Sequence, residues 1–156
     1  MPDIPQALAN RLREEGDRVI EFFKHLTRDQ WGVIVYPQKS DWSMHHLLAH
    51  FVSSEIGRKE LILNVYNDGK GAPTDFEIDH FNKQEVEKFS AESNDDLLNW
   101  FSQERAELIE QVSGMSPQDL NRIGNDPYLG EVVLLEMIRL TYRHLQIHLR
   151  DARQFL

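Results

Sequence analysis

The chain contains no cysteine. That absence removes a disulfide scaffold, a cysteine nucleophile, a thiolate zinc knuckle and an iron–sulfur cluster together. Any metal must then be held by His, Asp, Glu, main-chain groups or water. Basic charge is also scarce: 17 Lys and Arg stand against 26 Asp and Glu, a formal net charge of −9 at pH 7. A phosphate backbone needs a basic face to neutralise it, so no nucleic-acid partner is expected. The same repulsion disfavours docking on an anionic membrane surface. No apolar run approaches the ~18–20 residues that span a bilayer. The N-terminus, Met1-Pro2-Asp3-Ile4-Pro5, leads straight into charged helical sequence without an apolar signal core. A cytoplasmic protein with no membrane partner is the resulting expectation.

Repeats, low-complexity tracts and flexible linkers are equally absent, so residues 1–156 are expected to form a single domain. With 40% hydrophobic and 28% charged residues, the chain has enough apolar material for a real core. What is present is helical periodicity. Leu8, Leu12, Val19, Phe22, Phe23 and Leu26 recur at helical spacings, predicting a helix over residues 5–26 with Pro5 in its first turn. Residues 31–38 are short, β-branched and stopped by Pro37, which suits a connector or an extended piece. A second helix is predicted from Ser43, as N-cap, to about Tyr66, ended by the turn-forming residues 67–73.

A long excursion follows, with one short helix expected near residues 83–89; excursions of this size are more often functional than idle. Ser93 and Asp96 form a capping-box pattern for a third helix that ends near Ser113-Gly114. Gly124-Asn125-Asp126-Pro127 breaks the chain again, and a fourth helix is expected from about Gly130 to the C-terminus. Four long amphipathic segments with almost no strand pattern predict an all-α protein, an antiparallel four-helix bundle. The apolar face of the first helix, carrying Phe22 and Phe23, suits either the monomer core or a homodimer interface.

The histidines of the last helix stand out. Its apolar stripe reads Leu134, Ile138, Thr141, Leu145, His148, Ala152 and Phe155, and His144 lies one turn before His148 on nearly the same face. Two imidazoles at i and i+4 can both reach one ion. His50 sits in the apolar run Leu47-Leu48-Ala49-His50-Phe51 and should also point inward. Its neighbours Ser53, Ser54 and Gly57 either leave a pocket beside it or let another helix approach closely. His46, one turn before His50, can serve as an extra ligand, a supporting group or an exposed side chain. Asp79, His80 and Asn82 are placed to fold over such a pocket. His25 and His45 read as surface residues, Glu55 as a polar contact to another helix, and Tyr142 as a hydroxyl with a structural partner.

Trp42-Ser43, followed after five residues by Ala49-His50 and near the C-terminus by His144-x-x-x-His148, resembles the DinB-like family of four-helix metalloproteins. The resemblance covers nearly the whole chain, including the loop at 69–73 and the lead-in to the last helix at 126–130. It implies that His50, His144 and His148 ligate one divalent metal ion, Zn²⁺ or Ni²⁺, with water completing the sphere. Three protein ligands leave an open position, which is the pattern of catalytic sites. The family includes thiol-dependent S-transferases, a maleylpyruvate isomerase and metal-dependent hydrolases. The isomerase type carries a further C-terminal domain, whereas this sequence stops at the end of its last helix, which turns the expectation elsewhere. A small-molecule substrate with an exogenous low-molecular-weight thiol is therefore expected, in an enzyme of S-transferase type. A hydrolase, or a non-catalytic stress protein stapled by its ion, are the alternatives. No catalytic acid or base is identifiable.

Overall fold

In the computed structural model, residues 3–156 are described; Met1 and Pro2 lie outside the described residues. Four helices of 20 to 23 residues, α1 (Ile4–Lys24), α2 (Met44–Tyr66), α4 (Asn94–Ser113) and α5 (Leu134–Arg153), are joined by a shorter α3 (Ile78–Phe89). Two small antiparallel ribbons accompany them, β1 (Ile34–Tyr36) with β2 (Trp42–Ser43) and β3 (Ile123–Asp126) with β4 (Gly130–Val133). The described residues thus form five α-helices plus small strands, where four long helices and one short one near residues 83–89 were expected. None of these helices is long and apolar enough to cross a membrane.

The caps show why the helices start where they do. Asp3 accepts from the Gln6 amide at 2.9 Å and Pro5 occupies the first turn of α1, where its missing N–H costs nothing. Ser43 and His46 form a reciprocal capping box at α2: the Ser43 amide donates to His46 Nδ1 at 3.2 Å and the His46 amide to Ser43 Oγ at 3.4 Å. At α4 only half of the expected box forms, with Ser93 Oγ accepting from the Asp96 amide at 3.1 Å. The last helix begins at Leu134 rather than Gly130, because residues 123–133 close into a hairpin first. Asp126 Oδ1 accepts from the amides of Tyr128 (2.8 Å) and Leu129 (3.3 Å), and Gly130 takes φ +76°.

Two apolar clusters fill the interior. Val19, Phe23, Phe51, Leu97, Phe101, Leu145 and Leu149 belong to the first. Leu8, Leu12, Ile62, Leu108, Val112, Leu134 and Met137 belong to the second. The order in which each helix meets them gives its direction. α1 and α5 pass from the second cluster to the first, whereas α2 and α4 pass from the first to the second. The expected antiparallel bundle is thus built from two same-direction pairs. α2 and α4 run the same way, so the chain must return about 30 Å between them. The long excursion containing α3 makes that return, which explains its length.

Between the clusters lies a belt of buried polar groups to which all four long helices contribute: Glu15, Ser53, Glu55, Arg58, Arg105 and Thr141. Glu55 holds Arg105 bidentately, with Nη2 to Oε1 at 2.8 Å, and Arg105 Nη1 donates to Leu12 O at 2.8 Å. That is the interhelical contact expected of Glu55. Phe23 is fully buried and stacks on Trp31, so of the two N-terminal phenylalanines only Phe22 keeps any surface. Tyr142 meets the Arg11 guanidinium with its ring face, 5.2 Å from the centroid, rather than through its hydroxyl.

Candidate metal centre

His50 projects from the polar edge of the belt on α2, and His144 and His148 from consecutive turns of α5. The fold brings the three together, with one nitrogen of each within 4.8 Å of the others. Ring centroids are 5.3 Å apart for His50 and His144, 5.1 Å for His50 and His148, and 4.6 Å for His144 and His148. The Nε2 atoms of His144 and His148 face each other at 2.9 Å. Among the described residues, no carboxylate joins this donor set.

The first ribbon braces the cluster from outside. Tyr36 Oη donates to Asp151 Oδ2 at 2.7 Å and lies 2.7 Å from His148 Nδ1. A hydroxyl has one hydrogen, and an ionised carboxylate can only accept. Tyr36 therefore accepts from His148 Nδ1–H, which leaves His148 Nε2 with a bare lone pair. Metal-ligating histidines are oriented in the same way by an outer partner on the second nitrogen. From β2, the Trp42 ring packs 5.2 Å from His50. From the second hairpin, Tyr128 packs 5.2 Å from His144.

Electrostatics keep all three rings neutral at pH 7, the form a metal requires. Burial pushes His50 well below its ordinary pKa, and the facing His144 and His148 push it further. Burial, then the neighbouring His148 and Arg58, brings His144 down to about 3. Burial and Lys39 bring His148 down to about 4, although Asp151 pulls the other way. Burial and the bond to Asp151 also raise Tyr36, so it remains a phenol. His50 Nδ1 is buried without any hydrogen-bond partner. An orphaned imidazole nitrogen beside two converging ones fits a divalent ion.

The other histidines separate cleanly. His46 is consumed by the helix cap and is not part of the cluster. His45 is not a free surface residue: its Nδ1 meets Asn94 Oδ1 and its Nε2 lies 2.8 Å from Ser90 O, tying the start of α2 to the α3–α4 junction. His25, Asp79 and His80 are exposed, and Asn82 donates to Tyr128 Oη at 3.1 Å. Tyr36 and Asp151 were not anticipated. Asp151 follows His148 by one turn, but nothing in the sequence around Tyr36 announces that a ribbon returns it to α5.

The brace makes a direct prediction. Tyr36→Phe keeps the ring and removes the acceptor, so metal affinity should fall about 10–100-fold with little change in fold. Competition against a chromogenic chelator measures this, and an unchanged affinity would show that the Tyr36 contact does not orient His148.

A family model for the DinB superfamily matches residues 11–152. Among curated proteins, none matches the chain. Among solved structures, a mycothiol-dependent maleylpyruvate isomerase is similar with a TM-score of 0.78 at 16% identity, covering 97% of this chain and 61% of that one. A histidine-to-alanine mutant of a mycothiol-dependent maleylpyruvate isomerase gives a TM-score of 0.77 at 16% identity with the same coverage. The chain thus spans about three fifths of the length of these structures, and at such identity the likeness is one of fold. Matched by the family model over most of its length and by these structures in its fold, the chain belongs to the DinB superfamily.

Proposed function

We propose that His50, His144 and His148 bind one divalent ion, Zn²⁺ or Ni²⁺, in a metal-dependent enzyme of S-transferase type that uses a low-molecular-weight thiol. The observation that carries this is the donor set itself: three neutral imidazoles from two helices converging on one point, one of them held in a fixed tautomer. Imidazole suits both metals, so availability decides between them. The scaffold, on this proposal, is a four-helix bundle of DinB-like type with α3 added in its crossover.

When bound, the ion supplies a Lewis acid that lowers the pKa of a coordinated thiol or water. The chain's own part is to hold the ligands neutral and oriented and to wall the site with Trp42, Phe51 and Tyr128. One observation favours the thiol over hydrolysis. Water-based hydrolysis wants a general base beside the ion, yet among the described residues no carboxylate joins the three histidines, and Asp151 is engaged by Tyr36. A thiol acidified by the ion needs no such base. With no cysteine of its own, the chain must take that thiol from outside. The fold neighbours, mycothiol-dependent by their names, support the same choice.

Cobalt substitution tests the proposal. Protein loaded with Co²⁺ and titrated with 2-mercaptoethanol should develop a thiolate-to-cobalt charge-transfer band that saturates. A cobalt-loaded protein showing no such band at saturating thiol would remove the thiol and leave hydrolysis. Loss of all folded structure on chelation would instead favour an ion that only staples the helices.

A further inference from the structure

Glycine in the middle of a helix costs about 1 kcal/mol relative to alanine, and close packing against a neighbour is the usual reason to keep one. Gly57 has no such reason. A Cβ placed on it meets nothing within 4 Å. It lies seven residues beyond His50, two turns along α2 on nearly the same face, and opens onto a cavity of about 360 Å³. Ser53, Leu61, Phe76, Phe81 and Tyr128 line that cavity, which is mostly apolar. The loop after α2 is pinned in place to make its outer wall, with the Gly71 region held to Asn125 and α3 following. Tyr128 belongs at once to this wall and to the surroundings of His144, so the cavity flanks the histidine cluster.

One polar group on the wall is unfinished. The Arg58 side chain is only 7% exposed. Its Nη2 donates to Met137 O at 2.8 Å and lies 2.7 Å from Asp126 Oδ2, and its Nε reaches Thr141 Oγ1 at 3.4 Å. Nη1 is buried with no partner. A buried donor left unpaired costs about 1–3 kcal/mol; Arg58 is among the residues that line the cavity, so a small turn of its guanidinium brings Nη1 to an acceptor held there. Because Asp126 already neutralises the guanidinium, a second carboxylate would meet that negative charge at close range. An uncharged oxygen avoids this.

We propose that the cavity holds the body of the substrate, a compact hydrophobic molecule whose neutral carbonyl oxygen accepts from Arg58, and so delivers its far end to the three histidines. That this ligand is a substrate rests on the metal-enzyme proposal; that the cavity binds it does not.

The probe is acetophenone, titrated into the full chain by calorimetry or ligand-observed NMR, with and without Zn²⁺. It should bind, with ethylbenzene about tenfold weaker because Nη1 is then left unpaired, and benzoate weaker still. Gly57→Leu should reduce acetophenone binding at least about tenfold by filling the cavity, while the thermal midpoint and zinc content stay those of the wild type. Gly57→Ala should be slightly more stable than wild type and still bind. Equal binding to Gly57→Leu, or tighter binding of benzoate than of acetophenone, overturns the proposal. Gly57-sensitive binding in a chain that takes up no zinc would retain the cavity and sink the metal centre, so the two failures are distinct.

Discussion

A His144→Ala/His148→Ala double variant is expected to fall from stoichiometric metal to almost none, measured by metal analysis after purification without an affinity tag. The two imidazoles present facing Nε2 atoms 2.9 Å apart, and removing both leaves only His50, a single buried ring. Each single His→Ala change, at 50, 144 or 148, should also strip most of the ion, because two neutral nitrogens hold a divalent cation weakly. His46→Ala should keep full metal and lose about 1 kcal/mol of stability, since its ring caps α2. His80→Ala should change neither, being exposed outside the cluster. Full metal content in the double variant would end the metal centre and every functional statement built on it.

The same rings set an acid dependence. Unfolded histidine takes up its proton near pH 6.5, whereas folded His148 and His144 do so only at about 4 and about 3, with His50 held well below its ordinary value too. As pH falls through that window the unfolded chain binds protons that the folded chain refuses, so stability drops with pH. Below about pH 3 the slope from His144 and His148 vanishes. The part due to these two rings is the difference between wild-type and double-variant apoprotein in denaturant titrations.

The sequence carried the cluster further than the fold around it. His144 and His148 share a helix face by arithmetic, and a histidine in an apolar run is expected to point inward or along the bundle seam. Long-range partners leave no such trace. Tyr36 and Asp151 meet across 115 positions because a two-stranded ribbon folds back on α5, and three- and two-residue strands have no readable alternation. The hairpin at 123–133 was hidden for the same reason: Gly124 and Pro127 read as breakers, and the register emerges only when Asp126 folds the turn. Helix direction was equally invisible, since periodicity gives the buried face and not the sense in which a helix traverses the core. The small residues near His50 allowed two outcomes, and the empty space at Gly57 decides for a pocket.

Glu55→Ala should destabilise the protein by about 3–5 kcal/mol, a large part of the ~5–15 kcal/mol typical of a domain. Glu55 and Arg105 are almost completely buried, and among the described residues the carboxylate is the only counter-charge that Arg105 contacts. Arg105 also lies over the Phe101 ring at 5.2 Å and donates to the Leu12 carbonyl, so its guanidinium has no route to water once Glu55 is gone. The strand of helix opposite is fitted to it: a Cβ on Gly16 would come within 2.9 Å of Arg105 Cγ. The loss comes from stranding one charge rather than from the worth of the pair. A Glu55→Leu/Arg105→Met double variant should accordingly recover most of the stability, and denaturant midpoints of the two variants make the comparison. Glu55 points about 140° away from His50 round α2, so whatever fraction of Glu55→Ala remains folded should carry full metal. A stable Glu55→Ala protein lacking its ion would instead place the carboxylate in the coordination sphere and break the separation between the belt that holds the helices and the histidines that hold the metal.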